Sequence, residues 1–181
     1  EWIYFGTLAA TAGRPQRLLE ELLGTFQGSR RFYDLNLRAG SYTPELLGRL
    51  LPRAQVAKLN EEEMRECAAL FAIPSGNAFD FCEAACARFG WRAAAVTFGA
   101  RGCGVWLSGD YAESEGFPVK VADTVGAGDA FSAAFLHGLA AGMSAAEIGV
   151  FANRVAALVA TRHGGTPDWT LAEITEPEPR L

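Results

Sequence analysis

The chain has 181 residues, half of them hydrophobic, and a formal net charge of −5. This length is enough for one domain with a sizeable core. The longest run of like charge is Glu61, Glu62 and Glu63, which excludes the basic groove of a nucleic-acid-binding protein and a polybasic membrane surface. No apolar run approaches the ~18 residues of a membrane span, and the N-terminus lacks the layout of a signal peptide. We therefore expect a cytoplasmic protein with a small-molecule partner.

Strand-like and helix-like segments alternate along the chain, with a tail expected to fray at 176–181. The predicted strands are WIYF (2–5), RFYDLNL (31–37), AQVAKLN (54–60), RAAAVTF (92–98), GCGVWLS (102–108) and AESEGFPVKV (112–121), the last two as an antiparallel pair around a Gly109-Asp110 turn. The predicted helices are PQRLLEELLGTF (15–26), TPELLGRLL (43–51), NEEEMRECAALF (60–71), NAFDFCEAACARF (77–89), GDAFSAAFLHGLAAG (128–142) and SAAEIGVFANRVAALVATRHG (144–164).

Local signals set several of these boundaries. Thr43 is a predicted N-cap ahead of Pro44, and Ser144 with Glu147 has the spacing of a capping box. In the first predicted helix five apolar residues are expected to share one face, and they are Leu18, Leu19, Leu22, Leu23 and Phe26. The four cysteines contain no CxxC pair, which favours buried, reduced thiols over zinc ligands or disulfides.

This alternation predicts an α/β fold with a mostly parallel sheet and helices on both faces, as one domain over 1–175. In such open sheets, ligands bind beyond the carboxyl ends of the strands, where loops lead into helices. The residues that carry chemistry are therefore expected in those loops.

The segment ADTVGAGDAF at 122–131 has a Gly-Ala-Gly turn directly in front of a predicted helix. Glycines at 126 and 128 allow a tight turn, and the start of the helix adds the positive end of its dipole, so the segment predicts an anion site. An ionised Asp129 at that position is suited to accept a proton from a hydroxyl that attacks a phosphoryl group. The alternative is a tight connection in which Asp129 only caps the helix.

Four segments together resemble the ribokinase-like, or PfkB, family of carbohydrate kinases. DTVGAGDAF is similar to the C-terminal signature of that family, AKLNEEE (57–63) to its NxxE motif, and TFGARG (97–102) to its TxGxxG segment. FANRVAALVATRHGG resembles the helix that borders the adenine pocket. The segments occur in the family's order, and the likeness covers nearly the whole chain.

The resemblance implies an ATP-dependent sugar kinase, with Asp129 as catalytic base. It implies that the amides of Gly126, Ala127 and Gly128 form an anion hole. The implied nucleotide-binding residues are Asn60, Thr97, Gly99, Gly102 and Asn153. Thr97 is alternatively an ordinary strand residue, and Asn153 an ordinary surface residue.

The resemblance also implies metal ions. Glu63 would act on Mg²⁺ through water, and Asp123 would help to hold a monovalent cation such as K⁺. Alternatively, Glu61 to Glu63 form only the acidic first turn of a helix, where carboxylates are favoured by the dipole.

DLNLR at 34–38 gives the best indication of substrate. In a strand, Asp34, Asn36 and Arg38 share one face, so three polar groups are expected to converge. The segment is similar to that of fructokinases and 2-keto-3-deoxygluconate kinases, which implies that Asn36 and Arg38 bind a ketose or a keto-sugar acid.

Family members are substantially longer, and the portion without a counterpart is N-terminal. We expect the first strands of the sheet and the small β lid to be absent from this chain, and the full-length protein to be a homodimer. Two alternatives to an active kinase remain: an inactive fragment or non-catalytic scaffold relative, and a Rossmann-type dehydrogenase. No GxGxxG follows the first strand, which argues against the dehydrogenase.

Overall fold

The computed structural model describes residues 1–11, 13–26 and 28–175, and the predicted tail at 176–181 lies outside the described residues. Six strands form one sheet in the order β1-β2-β3-β4-β5-β6. Their bounds are Trp2–Gly6, Arg30–Asp34, Val56–Asn60, Ala93–Thr97, Gly102–Leu107 and Asp110–Glu115. The first four strands pair in parallel, with Trp2 opposite Arg30, Phe32 opposite Val56, and Val56 opposite Ala93. The predicted α/β class with a mostly parallel sheet is confirmed.

The helices of the described residues are α1 Arg14–Thr25, α2 Pro44–Leu50, α3 Glu61–Phe71, α4 Ala78–Phe89, α5 Ala127–Ala141, α6 Ala145–Ala160 and α7 Leu171–Thr175. Short 3-10 turns lie at Thr7–Ala10, Leu51–Arg53 and Gly99–Arg101. The first six helices match predicted ones to within a few residues, whereas α7 was not predicted. None of the helices in this part of the chain has the length and apolar character needed to cross a bilayer.

Helix ends follow the predicted local chemistry. The Thr43 hydroxyl accepts the Leu46 amide, and the Ser144–Glu147 capping box is present. α4 and α5 each end on a glycine in the left-handed conformation, Gly90 and Gly142.

The structure places the end of the last strand and the turn in front of it differently from the sequence prediction. β6 ends at Glu115 instead of reaching Val121, because Gly116 passes close to the Ala100 backbone and Pro118 lacks an amide for the ladder. The two-residue connection between β5 and β6 is Ser108-Gly109, not Gly109-Asp110, and a connection that short joins antiparallel strands.

The chain divides into two compact units. The first contains residues 1–98 and 104–111, and the second contains 99–103 and the chain from 112 onward. The first unit has a core of fully buried side chains that includes Phe32, Tyr33, Leu59 and Phe81. In the second unit, α5 and α6 pack as a helical pair around Phe135 and Ile148.

The apolar face predicted for α1 is only partly covered. Leu19 and Leu23 are buried, but Leu18, Leu22 and Phe26 remain 54%, 37% and 47% exposed. Only part of the predicted apolar face of α1 is therefore buried.

The cysteines behave as predicted. All four are free and buried. Burial raises the pKa of Cys67 and Cys82 to about 12, so these thiols stay protonated and unreactive at neutral pH.

Candidate active site

The start of α5 is built on a glycine that no other residue can replace without a backbone shift. Gly126, the residue before the helix, has φ 81°, in the left-handed region. A Cβ atom at this position would lie 2.1 Å from the carbonyl oxygen of Gly165. The turn therefore brings the Gly164–Gly165 segment against the start of α5.

Three amides in this turn have no acceptor among the residues that the structure describes. The Ala127 amide donates to the Thr124 carbonyl at 3.3 Å, so one of the three predicted anion-hole donors is already used. In the described part of the chain the amides of Gly126, Gly128 and Asp129 have no acceptor. They lie at the positive end of a 15-residue helix, which suits a phosphate group.

Asp129 occupies the third position of α5 and is exposed. Its carboxylate therefore lies in the same turn as the unpaired amides. An acidic side chain in the first turn of a helix interacts favourably with the positive end of the helix dipole. This arrangement is compatible with both interpretations from the sequence, a catalytic base and a helix-terminal acid.

Asp123 holds this turn in place. Its Oδ1 accepts the Val125 amide at 3.0 Å and its Oδ2 accepts the Gly164 amide at 3.1 Å. These two hydrogen bonds hold the pKa of the Asp123 carboxyl below its usual value. Because its two oxygens accept the amides of Val125 and Gly164, Asp123 joins the turn before α5 to the Gly164 loop. The role of Asp123 as a cation ligand stays a prediction.

Gly99 and Gly102 flank a 3-10 turn in the second unit, with φ of 62° and 111°. A Cβ atom on Gly102 would lie 2.0 Å from the Ser114 carbonyl oxygen. The turn therefore packs directly on the end of β6. This packing explains why residue 102 is glycine, and a contact with nucleotide phosphates stays a prediction for both residues.

Asn153 lies on α6 and is only 7% exposed, so the surface alternative is wrong. Its Nδ2 donates to the carbonyls of Ser114 at 3.0 Å and Glu115 at 3.2 Å. Because both amide hydrogens are used in joining α6 to β6, Asn153 offers at most its Oδ1 to a base. The predicted adenine contact gains no support from this geometry.

In the first unit, the prediction that Asp34, Asn36 and Arg38 share one strand face is wrong. β2 ends at Asp34, and Asn36 adopts φ 43°, in the left-handed region, which turns the chain away from strand geometry. Asp34 is buried, whereas Asn36 and Arg38 are exposed. Both predicted sugar-binding residues therefore lie in a loop at the carboxyl end of β2.

A buried ion pair lies at the same end of the sheet and was missed from the sequence. Lys58 Nζ is 3.1 Å from Asp34 Oδ1, and the Tyr4 hydroxyl donates to Asp34 Oδ2 at 3.1 Å. Asp34 and Lys58 are only 4% and 8% exposed. A lysine between the apolar residues Ala57 and Leu59 of a predicted buried strand is the signal that could have revealed the pair, because a buried lysine needs a partner.

Glu63 and Asn60 form a capping box at the start of α3. Asn60 Oδ1 accepts the Glu63 amide at 2.9 Å, and Glu63 Oε2 accepts the Asn60 amide at 2.8 Å. The other oxygen of Glu63 accepts the Leu37 amide at 2.8 Å. Burial raises the pKa of the Glu63 carboxyl, although both hydrogen bonds oppose this. The nucleotide contact of Asn60 stays a prediction.

The donor set around Glu63 does not by itself fit a magnesium ion. Magnesium prefers several oxygen ligands and waters, but both oxygens of Glu63 are already bonded to backbone amides. Across the described residues no group of three or more His, Cys, Asp or Glu side chains could hold a metal. The geometry supports the capping alternative, and the magnesium role of Glu63 stays a prediction.

Thr97 ends β4, and its hydroxyl lies 3.4 Å from the Leu59 carbonyl, to which it donates. The side chain is half-buried. This weak contact is that of an ordinary strand residue, and a contact of Thr97 with phosphate stays a prediction.

The mostly parallel sheet with its helices is the fold of solved ribokinase-like proteins. Within that class, the chain belongs to the pfkB family of carbohydrate kinases, whose sequence pattern matches residues 2–171. The dehydrogenase alternative is thereby excluded.

Individual proteins that are similar to this chain are also sugar kinases by name. Over 170 residues the chain is 30% identical to the uncharacterized sugar kinase YegV of Escherichia coli (strain K12), covering 90% of this chain and 50% of that protein. It superposes on the 2-dehydro-3-deoxygluconokinase of Thermotoga maritima with a TM-score of 0.82 at 21% identity, covering 96% of this chain and 58% of the other. A double mutant of the fructokinase of Vibrio cholerae O395, bound to fructose, ADP and potassium ion, gives a TM-score of 0.74 at 23% identity, covering 91% and 56%. The chain thus spans about half the length of the relatives it matches.

Proposed function

We propose that the protein transfers the γ-phosphoryl group of ATP to a hydroxyl of a sugar, and that its substrates are ketoses such as fructose or keto-sugar acids. The family assignment supports the reaction class. The names of the neighbours, a 2-dehydro-3-deoxygluconokinase and a fructokinase, support the substrate class. Four buried, unpaired cysteines are in keeping with action in the reducing cytoplasm.

The observation that carries the proposal is the start of α5. Three amides without an acceptor in the described residues, those of Gly126, Gly128 and Asp129, lie in one turn with an exposed carboxylate. Such a turn can donate to the oxygens of an anionic group and accept a proton beside it.

In the proposed reaction ATP, when bound, supplies the phosphoryl group. Asp129 accepts the proton of the sugar hydroxyl while that oxygen forms its bond to phosphorus, and the bond from phosphorus to the departing ADP oxygen breaks. The three amides stabilise the charge on the phosphoryl oxygens, and Asp123 keeps them in place through Val125 and Gly164.

The test is an assay of ADP formation with fructose, ribose and 2-keto-3-deoxygluconate. It is run on the 181-residue chain and on any longer polypeptide that its gene encodes. We expect Asp129→Asn to lower kcat by ~10²–10⁴-fold, the usual contribution of a general base. The matched control is Asp80→Asn, because Asp80 is also the third residue of its helix, α4.

Wild-type kcat in Asp129→Asn would show that Asp129 is only a helix-terminal acid. If the wild-type protein forms no ADP with any of the three sugars, the active-kinase proposal fails, and the non-catalytic relative becomes the better description. Comparable melting temperatures for the two variants would show that a difference in kcat does not come from unfolding.

A further inference from the structure

Glu63 reaches beyond its own helix. Its Oε2 accepts the amide of Asn60, three residues away, as in any capping box. Its Oε1 accepts the amide of Leu37 at 2.8 Å, which comes from the loop between β2 and α2, 26 residues earlier in the chain. A capping box needs only the first of these bonds, so the second calls for its own explanation.

Leu37 lies between the two residues implied in sugar binding. Asn36 and Arg38 are both exposed, and Asn36 adopts φ 43°. Non-glycine residues adopt the left-handed region only occasionally, and contacts of the surrounding chain help to hold them there. Leu37 comes directly after Asn36, so the hydrogen bond from the Leu37 amide to Glu63 can hold Asn36 in this conformation.

The same loop is fixed from two other elements. The Leu35 amide donates to the Lys58 carbonyl at 3.1 Å, and the Leu35 carbonyl accepts both the amide and the hydroxyl of Thr7. Residues 35–37 are thus bonded to the segment after β1, to β3 and, through Glu63, to α3. Of these hydrogen bonds, only the one to Glu63 is made by Leu37, the residue between Asn36 and Arg38.

Charge and burial agree with a fixed backbone contact. Glu63 is 6% exposed, and each of its oxygens is 2.8 Å from a backbone amide nitrogen. A glutamine side chain has only one acceptor oxygen, so it could accept only one of these two amides, and the Leu37 contact and the Asn60 contact could not both persist.

We propose that Glu63 is a positioning residue, which fixes the loop that carries Asn36 and Arg38, and that this is its main role instead of binding magnesium. The proposal rests on the proposed function and on the predicted contact of Asn36 and Arg38 with the sugar. In the kinase, loss of Glu63 should therefore weaken the sugar site and leave the nucleotide and metal requirements unchanged.

The first test needs no catalysis. Amide hydrogen exchange of Leu37 is measured by NMR in the wild type, in Glu63→Gln and in Glu62→Gln. Glu62 is the matched control, because it lies in the same turn of α3 and is exposed. We expect exchange at Leu37 to be at least about tenfold faster in Glu63→Gln and unchanged in Glu62→Gln. An unprotected Leu37 amide in the folded wild type would overturn the proposal even if Glu63→Gln failed to fold.

The second test is steady-state kinetics on the active kinase. We expect Glu63→Gln to raise the KM for sugar about tenfold or more, with the KM for ATP and the Mg²⁺ concentration for half-maximal rate unchanged. A higher Mg²⁺ requirement with an unchanged sugar KM would overturn the positioning role. A wild type without kinase activity would refute the proposed function, while the exchange measurement would still decide whether Glu63 holds the loop.

Discussion

Three charged side chains of the first unit are each less than a tenth exposed. Asp34, Lys58 and Glu63 are 4%, 8% and 6% exposed, and all three have charged or backbone partners. Burial of an ionic group costs several kcal/mol unless partners compensate for the loss of water. The stability of this region therefore depends on each partner being present.

At the residue scale, we predict that Lys58→Met destabilises the protein by about 3–5 kcal/mol, because it leaves the buried Asp34 carboxylate without its ammonium partner. The measurement is the free energy of unfolding in urea. The control is Arg65→Met, which breaks the solvent-exposed pair with Glu61 at 2.8 Å and should cost under about 1 kcal/mol. Similar losses in the two variants would contradict the assignment of Lys58–Asp34 as a buried, essential pair.

The second residue-scale prediction concerns pH. Burial raises the pKa of Glu63 above its ordinary 4.5, so its contribution to stability is complete below about pH 4.5 and is lost as pH rises through the folded-state pKa. The glutamine of a Glu63→Gln variant does not titrate. We therefore expect the stability advantage of the wild type over that variant to shrink as pH rises from about 4 to about 7.

Urea unfolding of both proteins at each pH gives this difference, and the other carboxylates cancel because both proteins have them. A difference that grows with pH would mean that the two backbone amides outweigh burial and that the pKa of Glu63 is lowered.

At the scale of elements, α5 has a left-handed glycine at each end, but only one of them is confined. Gly126 has φ 81° and would place a Cβ atom 2.1 Å from the Gly165 carbonyl oxygen. Gly142 has φ 73° and would place its Cβ atom in open space. Alanine substitutions at the two ends of this helix therefore measure different costs. Gly142→Ala tests the backbone conformation alone, and Gly126→Ala tests the conformation together with the close contact.

We predict that Gly142→Ala destabilises the protein by ~1–2 kcal/mol from its conformation alone. Gly126→Ala should cost a further ~1–3 kcal/mol, because the backbone of the Gly164–Gly165 loop must move. Thermal unfolding compares the two variants, and the ADP assay should show a loss of activity only for Gly126→Ala. Equal melting temperatures would contradict the close approach of Gly165 to the start of α5.

At the scale of the whole molecule, exposed apolar side chains gather near the N-terminus. Tyr4, Leu8, Leu18, Leu22 and Phe26 are between 37% and 54% exposed. They lie on β1, on the turn after it, and on and just beyond α1, and β1 is an edge strand of the sheet. Exposed edges and clustered apolar side chains favour association with another chain.

We predict that the 181-residue chain associates with a second copy of itself through this surface. Sedimentation velocity should show concentration-dependent oligomers, and Leu18→Lys with Leu22→Lys should weaken association at least about tenfold, because each buried leucine contributes ~1.5–3 kcal/mol. Leu171→Lys is the control, since Leu171 is 60% exposed on α7. A chain that is monomeric at high concentration would contradict this, and the homodimer expected for a full-length protein stays a separate prediction.

The parts that could be predicted from the sequence depend on neighbours in the chain. Thr43 with Pro44 and Ser144 with Glu147 each act within one helical turn, so their patterns are visible in the sequence and are confirmed. The parallel sheet followed from the alternation of strands and helices. The family followed from motifs that are themselves local.

The sequence by itself thus determined the α/β class, most helix boundaries, the buried state of the cysteines and the glycine turn in front of Asp129. Only the tertiary structure decided that Lys58 pairs with Asp34, that Asn153 bonds to the end of β6, that β2 stops before Asn36 and that Glu63 holds Leu37. The reason is physical: the contacts of Lys58, Asn153 and Glu63 each join residues from separate parts of the chain. Which partner a buried polar group finds depends on how the strands and helices pack.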